Sequence, residues 1–276
     1  MDSYHSWKLD KENLLAGPIS CSMLKAFDPS PFAWSKADEF KQTDAMRMGS
    51  LFDCALTEPE KIASVCAVSP FDSFRTKEAK EWKAETEGSG RLICKQSEID
   101  HAISAAEAVR SHHLAGNILQ GAAFQTGLVC DIGGIPAKAL LDILPSLDGD
   151  YPETIFDYKT TANGLDDESL MKTIGNFRLH WQSAFYKTML NKSHPDRVCE
   201  DFGFIFQDVK TKEVRVFPLD QDSLDLGMRA VGSAIKNYAK CAHDGIKSRY
   251  AKTYGSLGVP VYIAMSEDER LTKEEN

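Results

Sequence analysis

The succession of hydrophobic and polar positions divides this chain into a helical front and a strand-rich middle. Ile19–Phe27 reads as a short helix with Ser20 as its N-cap; it stops at Asp28-Pro29-Ser30-Pro31, where a second short helix can start at the proline. Between Asp44 and Leu56, residues Met48, Leu51, Phe52, Ala55 and Leu56 recur at the spacing of one helix face, and Glu58-Pro59 ends the segment. Residues 69–96 carry Pro70, Gly88-Ser89-Gly90 and many charges, and read as a solvated excursion around a helix over Lys77–Thr86. Glu98–Leu119 is again helical in pattern, with a break near Gly116-Asn117.

Strand signals follow. Ala123–Asp131 and Ile135–Leu144 flank Gly133-Gly134, a strong two-residue hairpin signal. Pro145–Pro152 is a loop, Thr154–Lys159 a third strand, and Asn176–Leu190 a helix. Phe202–Val209 and Glu213–Pro218, joined by Lys210-Thr211-Lys212, form a second hairpin, before a long amphipathic helix over Asp220–His243 and a frayed acidic tail. The order helix, strand, strand, strand, helix, strand, strand, helix predicts an α/β domain around a mixed sheet.

Composition narrows the function classes. Lys+Arg 32 against Asp+Glu 41 gives a net charge of -9 over 276 residues, which disfavours a protein that coats nucleic acid with its whole surface but leaves room for a local basic channel. Between Leu226 and Lys252 the basic residues Arg229, Lys236, Lys240, Lys247, Arg249 and Lys252 face the single acid Asp244, which reads as a solvated helix face unless these residues cluster. No apolar run approaches the roughly 18 residues of a membrane span, and the N-terminus lacks the apolar core of a secretory signal, so a cytoplasmic, reduced setting is expected. The seven cysteines are scattered and include no C-x-x-C pair, which argues against a disulfide framework, a zinc ribbon and an iron–sulfur cluster.

Candidate chemistry lies in acids placed where acids are costly. Asp142 sits inside the apolar run Ala139–Leu144, and fifteen residues later Asp157 sits inside Ile155–Lys159. An unpaired buried carboxylate costs several kcal/mol or more, so it protonates, finds a cation or is avoided. Strand alternation puts Asp157 and Lys159 on one face, with Phe156 and Tyr158 on the other. Taken alone, Asp142 reads as an edge or turn-proximal acid, and Asp157 with Lys159 as a solvent-facing ion pair. On neighbouring strands, the two carboxylates would meet beside Lys159 and suit a hard cation such as Mg²⁺ or Mn²⁺. Gln182 and Tyr186, four residues apart, share one helix face; they suit either a polar site or the edge of a core. His180 and Trp181 read as packing residues.

These residues carry a resemblance. Leu141-Asp142, then Phe156-Asp157-Tyr158-Lys159-Thr160-Thr161-Ala162, then His180-Trp181-Gln182-Ser183-Ala184-Phe185-Tyr186 is similar to the PD-(D/E)xK core of the phage-type exodeoxyribonuclease VIII (RecE-like) family. Ile19-Ser20-Cys21-Ser22-Met23-Leu24 with Pro31-Phe32-Ala33-Trp34, and Met48–Pro59, resemble the family's two N-terminal segments. One departure stands out: Asp53 occupies the position where the family has His. A carboxylate can replace imidazole as an oxygen ligand, although Asp53 also reads as an exposed acid near a helix C-terminus.

The resemblance implies a restriction-endonuclease-like α/β core, a mixed central sheet flanked by helices with N-terminal helical additions. A single nuclease domain would span 1–276: a helical part over 1–121 carrying the Asp53 helix, the αβ core over 122–250, and a flexible acidic tail over 264–276. It implies metal-dependent cleavage of double-stranded DNA ends, 5′ to 3′, for single-strand-annealing recombination in a phage or prophage setting. Asp142, Asp157, Lys159, Gln182 and Tyr186 would be catalytic. Asp53, Asp142, Asp157 and the main-chain carbonyl of Tyr158 would hold Mg²⁺ or Mn²⁺, with no iron–sulfur cluster. Ser20, Ser22, Lys25 and Thr160 would contact DNA. Expected partners are DNA ends, further copies in a ring and a single-strand-annealing protein, with no membrane. A catalytically silent DNA-end-binding protein and a RecB-like nuclease of other polarity are the alternatives.

Overall fold

The computed structural model describes residues 10–38, 42–248, 256 and 258–274. The front of the chain forms α1 (Cys21–Phe27), α2 (Pro31–Lys36), α3 (Asp44–Thr57), a 3-10 turn and α4 (Ile62–Val65). Next come β1 (Cys66–Val68), α5 (Lys77–Gly88), β2 (Leu92–Cys94), α6 (Gln96–Ser111) and α7 (His113–Leu119). The core follows with β3 (Ala123–Ile132), β4 (Ile135–Leu144), β5 (Thr154–Thr161), α8 (Asp167–Asn176), α9 (Leu179–Ser193), β6 (Asp201–Asp208), β7 (Val214–Pro218) and α10 (Gln221–Asp244). The helix α11 (Val261–Glu274) comes last. Side-chain oxygens start several helices: Ser20, as the sequence predicts, accepts from Met23 N–H, and Ser30 and Thr43 accept from Ala33 and Met46 N–H.

The five strands β3 to β7 form one mixed sheet in chain order, antiparallel except for the parallel β5–β6 pair. One face is covered by α1, α9 and α10, whose Leu24, Phe27, Trp181, Phe185 and Tyr238 pack on Phe202, Phe204 and Phe206. The other is covered by α3, α6 and α7, whose Leu51, Phe52, Val109 and Ile118 pack on Ile143, Phe156, Tyr158 and Ile205. The strand alternation predicted for β5 holds: Ile155 joins the first core, and Phe156 and Tyr158 the second. Helices α9 and α10 approach closely because residue 227 is glycine; a Cβ there would come within 2.1 Å of the His180 carbonyl oxygen.

The structure departs from the sequence pattern in places with local causes. The excursion over 69–96 hides a two-stranded parallel sheet, β1 with β2. The break in the 98–119 pattern falls at His112, whose ring nitrogen Nδ1 accepts from Ala115 N–H and starts a new helix. An additional helix, α8, precedes α9; Asp166 caps its N-terminus and two acids occupy its first turn. The acidic tail is helical, with Arg270 paired to Glu267 one turn away. No helix among the described residues is long and apolar enough to cross a membrane.

Candidate active site

The site forms where the sheet opens. Strands β3 and β4 pair from Ala123–Leu144 to Ile132–Ile135, whereas β4 and β5 share the single register pair Ile143–Phe156. The edge of β4 that β5 leaves free is taken at one end by Ile19, whose N–H donates to Pro136 O at 2.8 Å and whose carbonyl accepts from Lys138 N–H at 2.9 Å. That short bridge delivers the chain directly into α1, which brings Lys25 within electrostatic reach of Asp157 and Lys159.

Between Ile19 and Ile143, both strands of the hairpin change side. Ala137, Ala139 and Leu141 face the first core, Ile143 the second, and Leu144 the first again. In β3, Leu128, Cys130 and Ile132 face the first core and Phe124 the second. The change occurs at Asp142 and at Gln125, which has φ 47, a left-handed conformation uncommon for a non-glycine residue. Asp142 turns its carboxylate into the seam, where Oδ2 accepts from Tyr158 N–H at 3.3 Å. A side chain thus replaces a ladder bond that the splayed strands do not make.

Four of the predicted residues meet here. The Lys159 ammonium lies 3.9 Å from Asp142 Oδ2 and forms an ion pair with Asp157 Oδ2. Gln182, reaching across from α9, donates from Nε2 to Asp157 Oδ1 at 2.6 Å. Burial alone would lower the Lys159 pKa, but the carboxylates of Asp157, Asp142 and Asp53 outweigh it and hold it above the ordinary lysine value. Burial, reinforced by Asp157 and Asp53, raises Asp142 well above the usual carboxylate range. The main-chain carbonyl of Tyr158 accepts from Lys159 Nζ at 3.4 Å, while the Tyr158 hydroxyl turns to the opposite face and donates to Gln207.

Asp53 arrives from the other layer. Its helix α3 packs on the second core, and Asp53 Oδ2 accepts from Gln125 Nε2 at 2.9 Å. Its Oδ1 is buried with no hydrogen-bond partner. Burial pushes its pKa up to about 6, against the pull of the Lys159 ammonium, with Asp157 and Glu58 adding to the rise. The sheet opening therefore lets acids from opposite layers approach one another. Gln125 has no sequence signature: nothing in Phe124-Gln125-Thr126 announces a left-handed residue, and only its contacts reveal it.

The other predicted residues are less closely engaged. Tyr186 is half-buried, with its ring centroid 6.3 Å from that of Phe202. The Ser20 hydroxyl caps α1, Ser22 is exposed, Thr160 is half-buried on β5, and Lys25 Nζ donates to Phe177 O at 3.0 Å. Arg229, Lys236, Lys240 and Lys247 are exposed, whereas Arg249 and Lys252 lie outside the described residues. The seven cysteines are free, and Cys66 and Cys94 are hydrogen-bonded neighbours across β1 and β2.

The donor set implies a divalent ion. Asp53, Asp142, Asp157 and the Tyr158 carbonyl supply only oxygen, and Asp53 Oδ1 is a buried acceptor lacking a donor; that chemistry fits a hard cation such as Mg²⁺ or Mn²⁺. Among the described residues no three acidic, histidine or cysteine side chains lie close enough together to enclose an ion. The acids stand instead as an Asp142–Asp157 pair joined by Lys159, with Asp53 held on Gln125.

Comparison with known proteins agrees with this architecture. The sequence matches the family described as PDDEXK-like domain of unknown function (DUF3799) over residues 20–254, and the chain belongs to that family. A provisionally designated exonuclease from Eubacterium rectale has a similar structure, with TM-score 0.55 and 11% identity over 94% of this chain and 98% of its own. A phage-related exonuclease from Haemophilus somnus matches with TM-score 0.37 and 14% identity over 82% of this chain and 96% of its own. No curated protein matches the sequence significantly. The family and the first structure fix the fold as PDDEXK-like, a mixed central sheet flanked by helices.

Proposed function

We propose that this member of the PDDEXK-like family is a divalent-metal-dependent exodeoxyribonuclease that hydrolyses phosphodiester bonds from the ends of double-stranded DNA. The observation that carries the reading is the Asp142–Asp157–Lys159 cluster, braced by Gln182, at the one place where the sheet opens to a third carboxylate. When bound, Mg²⁺ or Mn²⁺ supplies Lewis-acid polarisation of the scissile phosphate and of the attacking water. Asp53, Asp142, Asp157 and the Tyr158 carbonyl would hold it.

The protein's own groups do the remaining work. Lys159, kept protonated by its carboxylate neighbours, offers an ammonium to negative charge developing on the phosphate oxygens. Gln182 fixes the Asp157 carboxylate through Oδ1, and the Tyr158 N–H fixes Asp142. Tyr186, one turn beyond Gln182, would steady the same helix face. Ser20, Ser22, Lys25 and Thr160 would contact the DNA strand.

The finer reading is digestion from 5′ to 3′, ring assembly and service to a single-strand-annealing partner in a phage or prophage setting within a bacterial cytoplasm. In support of a basic passage, Arg229, Lys236 and Lys240 recur at spacings of seven and four residues on the exposed side of α10. One experiment tests the core claim: titrate Mg²⁺ into the protein with end-labelled linear duplex and closed circular duplex, beside Asp157→Ala. Digestion of the linear form alone, lost on chelation and in the variant, is the expected result; digestion without added metal, or undiminished in the variant, contradicts it. A second reading, a silent DNA-end-binding protein, is favoured because no three acidic, histidine or cysteine side chains among the described residues are grouped closely enough to enclose an ion; it wins if DNA ends bind tightly and no ion elicits cleavage.

A further inference from the structure

Beside the seam lies a group that the hydrolytic site does not use. Phe177, between α8 and α9, is 65% exposed, while Leu179 and Trp181 just beyond it are buried. Arg178 follows with φ 48, a conformation that costs a non-glycine residue about 1 kcal/mol or more and needs support from its surroundings. That support is visible. The Arg178 carbonyl accepts from Trp181 N–H at 3.0 Å, its guanidinium lies over the Trp181 ring at 5.0 Å, and Nη1 donates to Lys25 O at 3.4 Å. Lys25 closes the loop by donating to Phe177 O at 3.0 Å. Neither Lys25 nor Arg178 has a carboxylate partner among the described residues.

The group is close to the reacting centre. Arg178 is the N-cap residue of α9, the helix whose Gln182 touches Asp157. The charges of Asp157 and Lys159 reach Lys25. Two basic side chains without an ion-pair partner among the described residues and an exposed aromatic ring, joined by hydrogen bonds, match the chemistry of a single-stranded nucleic-acid backbone with a base stacked on a side chain.

We propose that Phe177, Arg178 and Lys25 form a strand-gripping platform, with Phe177 stacking an unpaired base at the DNA end while Arg178 and Lys25 hold the adjoining phosphate. The proposal rests on the nuclease reading and specifies how the substrate strand is held. Two substitutions separate its parts. Phe177→Ala removes the stacking face and Phe177→Trp keeps one, whereas Arg178→Gly removes the cation while relieving the left-handed backbone.

The test is binding of linear duplex carrying 2-aminopurine at its terminal bases, in chelator, by anisotropy and fluorescence quenching, with circular-dichroism melting to verify folding. Wild-type protein and Phe177→Trp are expected to quench the terminal base. Phe177→Ala should lose the quenching and about fivefold or more in affinity, the lower end of what one stacked base contributes. Arg178→Gly should flatten the salt dependence of log K by about 0.7–0.9, the equivalent of one phosphate contact. Wild-type binding that Phe177→Ala and Arg178→Gly leave unchanged overturns the platform alone. Wild-type protein that binds no DNA overturns the nuclease reading, and the platform with it.

Discussion

Strand β4 has two neighbours and treats them differently. With β3 it keeps register to the end of the hairpin, where Gly133 and Gly134 both adopt positive φ and Asp131 Oδ1 accepts from Gly134 N–H at 2.8 Å. With β5 it pairs only at Ile143–Phe156, and Ile19 and the Asp142 carboxylate occupy the rest of its edge. The hairpin satisfies its backbone within itself. The seam leaves that task to side chains and collects acids whose burial is unfavourable, so the closed pair gives stability and the open pair gives chemistry.

Seam substitutions should therefore abolish activity, and hairpin substitutions should touch only stability. The largest effect is expected for Lys159→Ala, which should lower cleavage by about 10²–10³-fold or more while DNA binding persists; gel-shift and single-turnover cleavage on one preparation check it. Asp157→Ala should also unfold at lower urea concentration, because it strips the partly buried Lys159 ammonium of its closest counter-charge.

Next in size is a pH effect with a definite sign. The folded-state pKa of Asp53 stands at about 6, above its ordinary value, and Asp142 is raised too. The Asp53 contribution to stability is complete below the unfolded value near 4 and is lost as pH rises through about 6, and the Asp142 contribution is lost in the same direction as pH rises. In metal-free buffer Asp53→Asn should consequently melt a few degrees above wild type at pH 7.5, the gap closing as pH falls toward 4. The same substitution should depress cleavage. Thermal melts across pH decide it, and a variant less stable than wild type at pH 7.5 would contradict the account.

A smaller effect is expected for Gln125→Gly, which keeps the left-handed backbone but removes the donor to Asp53. Divalent-ion binding should weaken and the pH midpoint of cleavage move upward, both measurable by calorimetry and rate profiles. The smallest belongs to the hairpin: Asp131→Ala should cost about 0.5–1.5 kcal/mol in urea melting and leave cleavage unchanged.

How much of this was legible in the sequence follows from what each residue signals. Asp142 and Asp157 stood out because acids are rare in apolar strands; periodicity put Lys159 on the Asp157 face and Gln182 on the Tyr186 face, and the family resemblance pointed to their place in the site. The hairpin was legible because Gly-Gly has few other uses between two apolar runs. Four features were not. Gln125 hides because a left-handed glutamine is imposed by tertiary contacts; Ile19 hides because a one-residue bridge has no period. The helix α8 was missed because its mixed sequence lacks a clear apolar repeat, and the sheet of β1 and β2 because apolar strands of three residues are too short to show alternation.

The central claim is that carboxylates from both layers of the sheet share a divalent ion at the opened seam. Calorimetric titration of Mn²⁺ into DNA-free protein at pH 7.5, repeated with Asp157→Ala and Asp53→Asn, tests it most directly. The account expects saturable binding with proton release in the wild type, lost in Asp157→Ala and weakened in Asp53→Asn. Binding of equal strength in all three proteins would contradict it.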